Sequence, residues 1–317
     1  MKAVALEGGK IRVKEVPVPV PDEGEALIEI VKAGICNTDL ELIKGYMDFE
    51  GILGHEFVGR VVASPEKKWE GKRVVGEINL PCGRCDICLK EDPKHCPSRL
   101  VLGIHRKDGV FAEYAALPLK NLHALPKAVT DIQGVFIEPL AAAAEILVQV
   151  RIDPQQDVLV LGDGKLGLLA AQAIRTRSPN VFCAGHHSRK LDLLEKQGIR
   201  TAMDGREWDR QFDVVVEATG NPQGIEEALC LVKSRGTIVA KSTFFGPAKF
   251  DFSALVVNEI RLFGSRCGSF MMALGLLENG SIQLDEMVDA EFPLEDAPLA
   301  FERAGDPEAI KILLTPG

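Results

Sequence analysis

Four thiols fall within fifteen residues in the pattern Cys82-x2-Cys85-x2-Cys88-x7-Cys96, with Pro81, Gly83 and Pro97 as turn formers around them. Four sulfur ligands with no position left over describe a closed, tetrahedral, structural zinc. Iron-sulfur ligation uses overlapping spacings and is the chemical rival. The chain is too long for a disulfide-stapled mini-protein, and Cys36, Cys183, Cys230 and Cys267 are scattered singly. The cluster therefore reads as a metal site in a reducing compartment. Such a site does no chemistry of its own; it holds a loop together.

A second pattern points to a dinucleotide. Gly162-Asp163-Gly164-Lys165-Leu166-Gly167 follows the apolar run Val158-Leu159-Val160-Leu161 and opens a segment rich in Ala and Leu. In that strand-turn-helix context the first glycine permits the tight turn, the second admits a pyrophosphate, and the third lets helix and strand approach. Lys165 adds a positive charge at the helix start, where phosphates already find backbone amides. An NAD site would place Asp or Glu at the end of the next strand, for the ribose 2′-hydroxyl. Here the sequence runs Ala184-Gly185-His186-His187-Ser188-Arg189-Lys190. With Gly185 in the carboxylate's place, Ser188, Arg189 and Lys190 are expected to bind a 2′-phosphate, so NADP(H) is expected over NAD(H). His186 and His187 are either adenine-stacking rings or exposed ones.

Three further pieces are dispersed: Gly34-Ile35-Cys36-Asn37-Thr38-Asp39, Gly54-His55-Glu56-Phe57-Val58-Gly59 and Glu138-Pro139-Leu140. Each has a bland reading by itself. Cys36 could be a small core residue, His55-Glu56 a loop pair, and Glu138 a carboxylate at a helix start with Pro139 in the first turn. Spacing alone does not join them.

The elements that must position these residues fall into two regions. Residues 1–125 read as β-rich, with polar-apolar alternation in Glu25–Val31 and β-branched runs near Val61 and Val74. From Asp157 onward, runs without polar alternation (158–161, 181–184, 213–216, 237–240) alternate with helical segments, as a parallel sheet covered on both faces requires. The fold class is α/β. The expected domains are 1–125, rejoined by 268–317, and a doubly wound domain over 126–267. Cys183 and Cys230 are expected in the core.

Composition excludes other classes. At 317 residues, 46% hydrophobic and 26% charged, the chain is globular and long enough for two domains. The net charge of -9 argues against nucleic acid. No apolar run reaches the ~18 residues of a membrane span, since Glu138 and Glu145 interrupt the best one. Met1–Glu7 meets a carboxylate before an apolar leader can form, so a cytoplasmic protein is expected.

Taken in order, these motifs, together with Asp108-Gly109-x-Phe111-Ala112-Glu113-Tyr114 and Glu217-Ala218-Thr219-Gly220, resemble the zinc-dependent medium-chain dehydrogenase/reductase superfamily along essentially the whole chain. The group includes alcohol, sorbitol and threonine dehydrogenases. The resemblance implies a GroES-like catalytic domain and a Rossmann domain. It implies that Cys36, His55 and Glu138 bind a catalytic zinc, with Glu56 a direct or alternating ligand, and that Cys82, Cys85, Cys88 and Cys96 hold a second, structural one. Thr38 would start a proton relay, and Asp39 would order the site from behind. Glu41 stands where many members carry the relay's terminal histidine, so either Glu41 is the acceptor or protons leave through the coenzyme ribose and water. Thr219, Ser265 and Arg266 would contact the coenzyme. The implied activity is hydride transfer between NADP(H) and a small alcohol or carbonyl substrate, in a homodimer or homotetramer. A zinc-independent enone or quinone reductase, or a non-catalytic NADPH-binding relative, is the alternative.

Overall fold

The ten-residue strand Glu25–Gly34 organises the first half of the molecule. It pairs antiparallel with Glu56–Ala63 and Tyr114–Pro118, and its last residues also pair with Lys311–Thr315 from the far end of the chain. The sheet continues outward through Arg73–Gly76 and Leu122–Ala124 on one side and Val288–Pro293 on the other. A helix, Asn37–Ile43, begins directly after the central strand.

The structure is a computed structural model describing residues 1–90, 93–244 and 247–317. It divides into one unit of Met1–Glu138 with Val288–Gly317 and a second of Pro139–Met287. Residues 126–138 and 268–287 thus fall on the opposite side of the expected boundaries. The helix Asp131–Val135 packs on the strands Glu25–Gly34 and Glu56–Ala63, and a Cβ at Gly134 would lie 2.2 Å from Val58. In the second unit, Gln172 and Gln283 exchange amide hydrogen bonds, and Gly268 packs on the carbonyl of Ala141.

The second unit is a parallel sheet, six-stranded among the described residues, in the spatial order Arg200–Ala202, Val181–Ala184, Val158–Leu161, Phe212–Glu217, Val232–Ala240, Arg261–Gly264. Every residue of Val158–Leu161 and Val181–Ala184 is buried, which is why those strands show no alternation. Arg200–Ala202 is polar and partly exposed, so no apolar run announced it. The chain order 3-2-1-4-5-6 is that of dinucleotide-binding sheets, whose ligands lie beyond the carboxyl ends of the strands. Cys183 is buried, but Cys230 is exposed: the helix Gly224–Leu231 turns Ile225, Ala228 and Leu231 inward and leaves Cys230 off that face. Among the described residues, no helix is long and apolar enough to cross a membrane.

Candidate metal centres and dinucleotide cradle

Strand register assembles the first cluster. Gly34 pairs with Glu56, so Cys36 and His55 both lie just beyond the end of one antiparallel ladder. Side chains 19 residues apart in sequence thereby become neighbours. Ligand atoms of Cys36, His55 and Glu56 all lie within 4.8 Å of one another, with His55 and Glu56 buried. A side chain at position 34 would occupy the same space, because its Cβ would stand 2.9 Å from Glu56 Oε2 and 2.7 Å from Val135.

Asp39 has two tasks here. One carboxylate oxygen accepts the Cys36 backbone N–H at 2.8 Å and so caps the helix that Cys36 begins. The other lies 3.4 Å from His55 Nδ1, with both side chains almost wholly buried. Among the described residues, neither of these two facing atoms has a hydrogen-bond partner. Burial disfavours the His55 imidazolium, yet the Asp39 carboxylate and the Cys36 sulfur outweigh it and raise the pKa well above the usual histidine value. The same negative groups that favour a proton here would favour a cation in its place. A soft thiolate, an imidazole and a carboxylate form a donor set suited to zinc.

Thr38 Oγ1 lies 3.6 Å from Cys36 Sγ. Glu41 forms an ion pair at 2.8 Å with Lys44, the residue that caps the end of its helix. Glu138 occupies the first turn of the helix Ile137–Ala144 and stands outside the three-residue group. Sequence reasoning missed Lys311, which is fully buried and forms an ion pair with Glu56. The available signal was a lone cation opening the apolar run Lys311-Ile312-Leu313-Leu314.

The four-cysteine lobe closes on itself. Cys85 Sγ lies 3.4 Å from Cys88 and 3.8 Å from Cys96, and Cys82 Sγ lies 3.9 Å from Cys88; none of them forms a disulfide. A tetrahedron with metal–sulfur bonds of about 2.3 Å has edges of about 3.8 Å, so the sulfurs already stand at zinc spacing. Backbone N–H groups of Arg84 and Cys85 pull the Cys82 thiol down to about 6. Desolvation and the Cys85 sulfur push Cys88 up to about 12. Without a cation, then, the four cannot all be thiolates at neutral pH.

In the second unit the glycines behave as the motif requires. Gly162 has φ +107°, and a Cβ there would lie 2.5 Å from the Ala218 carbonyl. A Cβ at Gly167 would lie 1.9 Å from the Gly162 carbonyl, so helix and turn touch through backbone. A Cβ at Gly164 would meet open space, which is the cradle a pyrophosphate needs. Lys165 and Leu166 open the helix Lys165–Arg175. Thr219 donates its hydroxyl to buried Glu217 at 2.7 Å, and Ser242 does the same, tying two strand ends together. Ser265 and the Arg266 carbonyl are held by Lys241 Nζ at 3.1 and 2.9 Å. Lys241, a buried cation after an apolar strand, was also missed.

Two premises of the 2′-phosphate expectation change. Ser188, Arg189 and His186 are exposed, but Lys190 is 3% exposed and turned inward with Leu191 and Leu194. The space beside Gly185 is also filled: a Cβ there would lie 2.3 Å from Asp163 Cβ and 2.4 Å from its Oδ2. Asp163 Oδ2 accepts the backbone N–H groups of His186 and His187 at 2.8 and 2.7 Å.

Comparison with known proteins follows the same division. Residues 22–127 match the alcohol dehydrogenase GroES-like domain and residues 166–279 the zinc-binding dehydrogenase domain. A sorbitol dehydrogenase of Halalkalibacterium halodurans is 30% identical, with 97% of this chain and 96% of that protein covered. Among solved structures, a short chain alcohol dehydrogenase from E. coli CFT073 complexed with NADH superposes with a TM-score of 0.92 at 27% identity, covering 99% of each chain. A putative zinc-binding dehydrogenase from Sinorhizobium meliloti 1021 bound to NADP gives 0.90 at 29% identity, again over 99% of each.

Proposed function

The chain belongs to the medium-chain dehydrogenase/reductase superfamily, in its alcohol dehydrogenase-like branch, and from that premise we propose that it is a zinc-dependent oxidoreductase. It interconverts a small alcohol, of the polyol class to which sorbitol belongs, and the corresponding carbonyl compound, with NAD(H) or NADP(H) as hydride carrier. The observation that carries this is the convergence of Cys36, His55 and Glu56 on one point.

Zinc would supply Lewis acidity toward the substrate oxygen, and the nicotinamide would accept or donate the hydride. Cys36 and His55 would hold the metal, with Glu56 beside them and Glu138 as the further carboxylate. Asp39, facing His55 Nδ1, would orient the imidazole and set its tautomer. Thr38 is placed to take the substrate's hydroxyl proton, and Glu41, on the next turn of the same helix, is the acceptor proposed beyond it. Cys82, Cys85, Cys88 and Cys96 would hold a second, structural zinc. The exposed Ser188 and Arg189 support NADP(H); the Asp163 carboxylate and the inward Lys190 oppose it.

A homo-oligomer is the proposed assembly. The edge strand Arg261–Gly264 exposes Leu262 and Phe263, and the helix Phe252–Val257 before it exposes Phe252, Val256 and Val257. Eight free cysteines support a reducing compartment such as the cytoplasm.

Metal analysis and an absorbance assay at the nicotinamide band, over a panel of polyols, simple alcohols and aldehydes, test the reading together. Two zinc ions per chain, one after Cys36→Ala, with substrate-dependent coenzyme turnover, are expected. Enone reduction by zinc-free protein would replace this proposal with the zinc-independent one.

A further inference from the structure

We infer that Asp163, the second residue of the glycine-rich turn, is the coenzyme-specificity residue of this chain and selects NAD(H) over NADP(H). This rests on the dinucleotide reading above and adds the residue that discriminates.

The volume beside Gly185 is occupied. In dinucleotide-binding sheets a carboxylate at the end of the second strand accepts the adenosine ribose hydroxyls. Here that strand ends at Ala184, and Gly185 follows it without a side chain. A Cβ at 185 would overlap Asp163, at 2.3 Å from both its Cβ and its Cγ. The carboxylate is therefore present at the strand end, but it is delivered from the first turn, 22 residues earlier. Glycine is the only residue that leaves room for it.

The delivery is rigid. Oδ2 is held by the amides of His186 and His187, and His187 Nδ1 lies 3.0 and 3.1 Å from the two carboxylate oxygens. With Asp163 only 6% exposed, this geometry is fixed before any ligand arrives. Two consequences follow for a 2′-phosphate. The backbone amides that could bind it are already occupied by an anion. Its own charge would be brought against a fixed negative one, in surroundings that screen poorly. A 2′-hydroxyl carries no such charge and can donate to a carboxylate. Removing the Asp163 charge would take that repulsion away.

Direct binding decides the matter, with NADH and NADPH titrated by intrinsic or coenzyme fluorescence in wild type and in Asp163→Asn. Asparagine keeps the shape and an oxygen for the two amides while losing the charge. Wild type is expected to bind NADH about tenfold or more tighter than NADPH. The D163N protein should narrow or reverse that ratio by tightening NADPH. Equal or tighter NADPH binding by wild type overturns the inference, as does a D163N protein that weakens both coenzymes alike. If D163N does not fold, the wild-type ratio alone decides. Binding of neither coenzyme removes the dinucleotide reading itself, a separate outcome from loss of selectivity.

Discussion

Lys311 and Glu56 form an ion pair in which neither side chain is exposed, although 255 residues separate them in sequence. Lys311 comes from the strand that returns to the first unit, and its ammonium also stands 5.3 Å from the ring centroid of Phe136. Glu56 opens the strand next to His55. The last strand of the chain thus supplies the countercharge for a carboxylate in the candidate metal cluster.

Removing one partner should be costly. Lys311→Met leaves a carboxylate buried without its countercharge and should lower unfolding stability by about 3–5 kcal/mol. The double variant Lys311→Met with Glu56→Gln should recover part of that loss. Urea denaturation of the four proteins measures both effects, and additive losses would deny the coupling.

Asp39 is predicted to act on metal affinity more than on folding. In Asp39→Asn an amide oxygen can still accept the Cys36 N–H, but the negative charge facing His55 is gone. Zinc affinity at the Cys36 cluster should fall roughly 10–100-fold, as for other carboxylate partners of ligand histidines. Competition with a chromophoric chelator reports it, and unchanged affinity would reduce Asp39 to a helix cap.

Gly34→Ala tests the close approach on which the cluster is built. The added methyl would meet Val135 at 2.7 Å and Glu56 Oε2 at 2.9 Å. Overpacking of this kind should cost about 1–3 kcal/mol and displace Glu56. Denaturation and zinc content, measured on one preparation, check both consequences.

The lobe thiols carry a pH signature once metal is stripped. Cys82 has a thiol pKa lowered to about 6, by backbone N–H groups of Arg84 and Cys85, so above that pH it is the reactive thiolate. Cys88, pushed up to about 12, stays protonated throughout the neutral range. Iodoacetamide at pH 7 should label Cys82 before Cys88, the Cys82 rate should fall as pH drops below 6, and zinc should protect both. Mass spectrometry of the labelled peptides gives the order.

The sequence by itself determined the chemistry available to this protein. Local rules govern a four-thiol lobe with its turn formers, a glycine-rich turn between strand and helix, and apolar runs that had to lie in a covered sheet. Each of these constraints acts within some fifteen residues, so spacing displays them. Cys36, His55 and Glu56 could be named as candidates, but only the register that pairs Gly34 with Glu56 made them neighbours. The unit boundaries followed packing: Gly134 on Val58 and Gln172 with Gln283 drew segments across the limits that composition had suggested. Lys311 was invisible as a partner because its relation to Glu56 exists only across the central strand Glu25–Gly34, which lies between their two strands in the sheet. Asp163 fills the space beside Gly185, so an empty position in the sequence was a filled volume in the fold. Sequence states which groups a chain carries; charge pairing and excluded volume act between groups, and folding alone sets their distances.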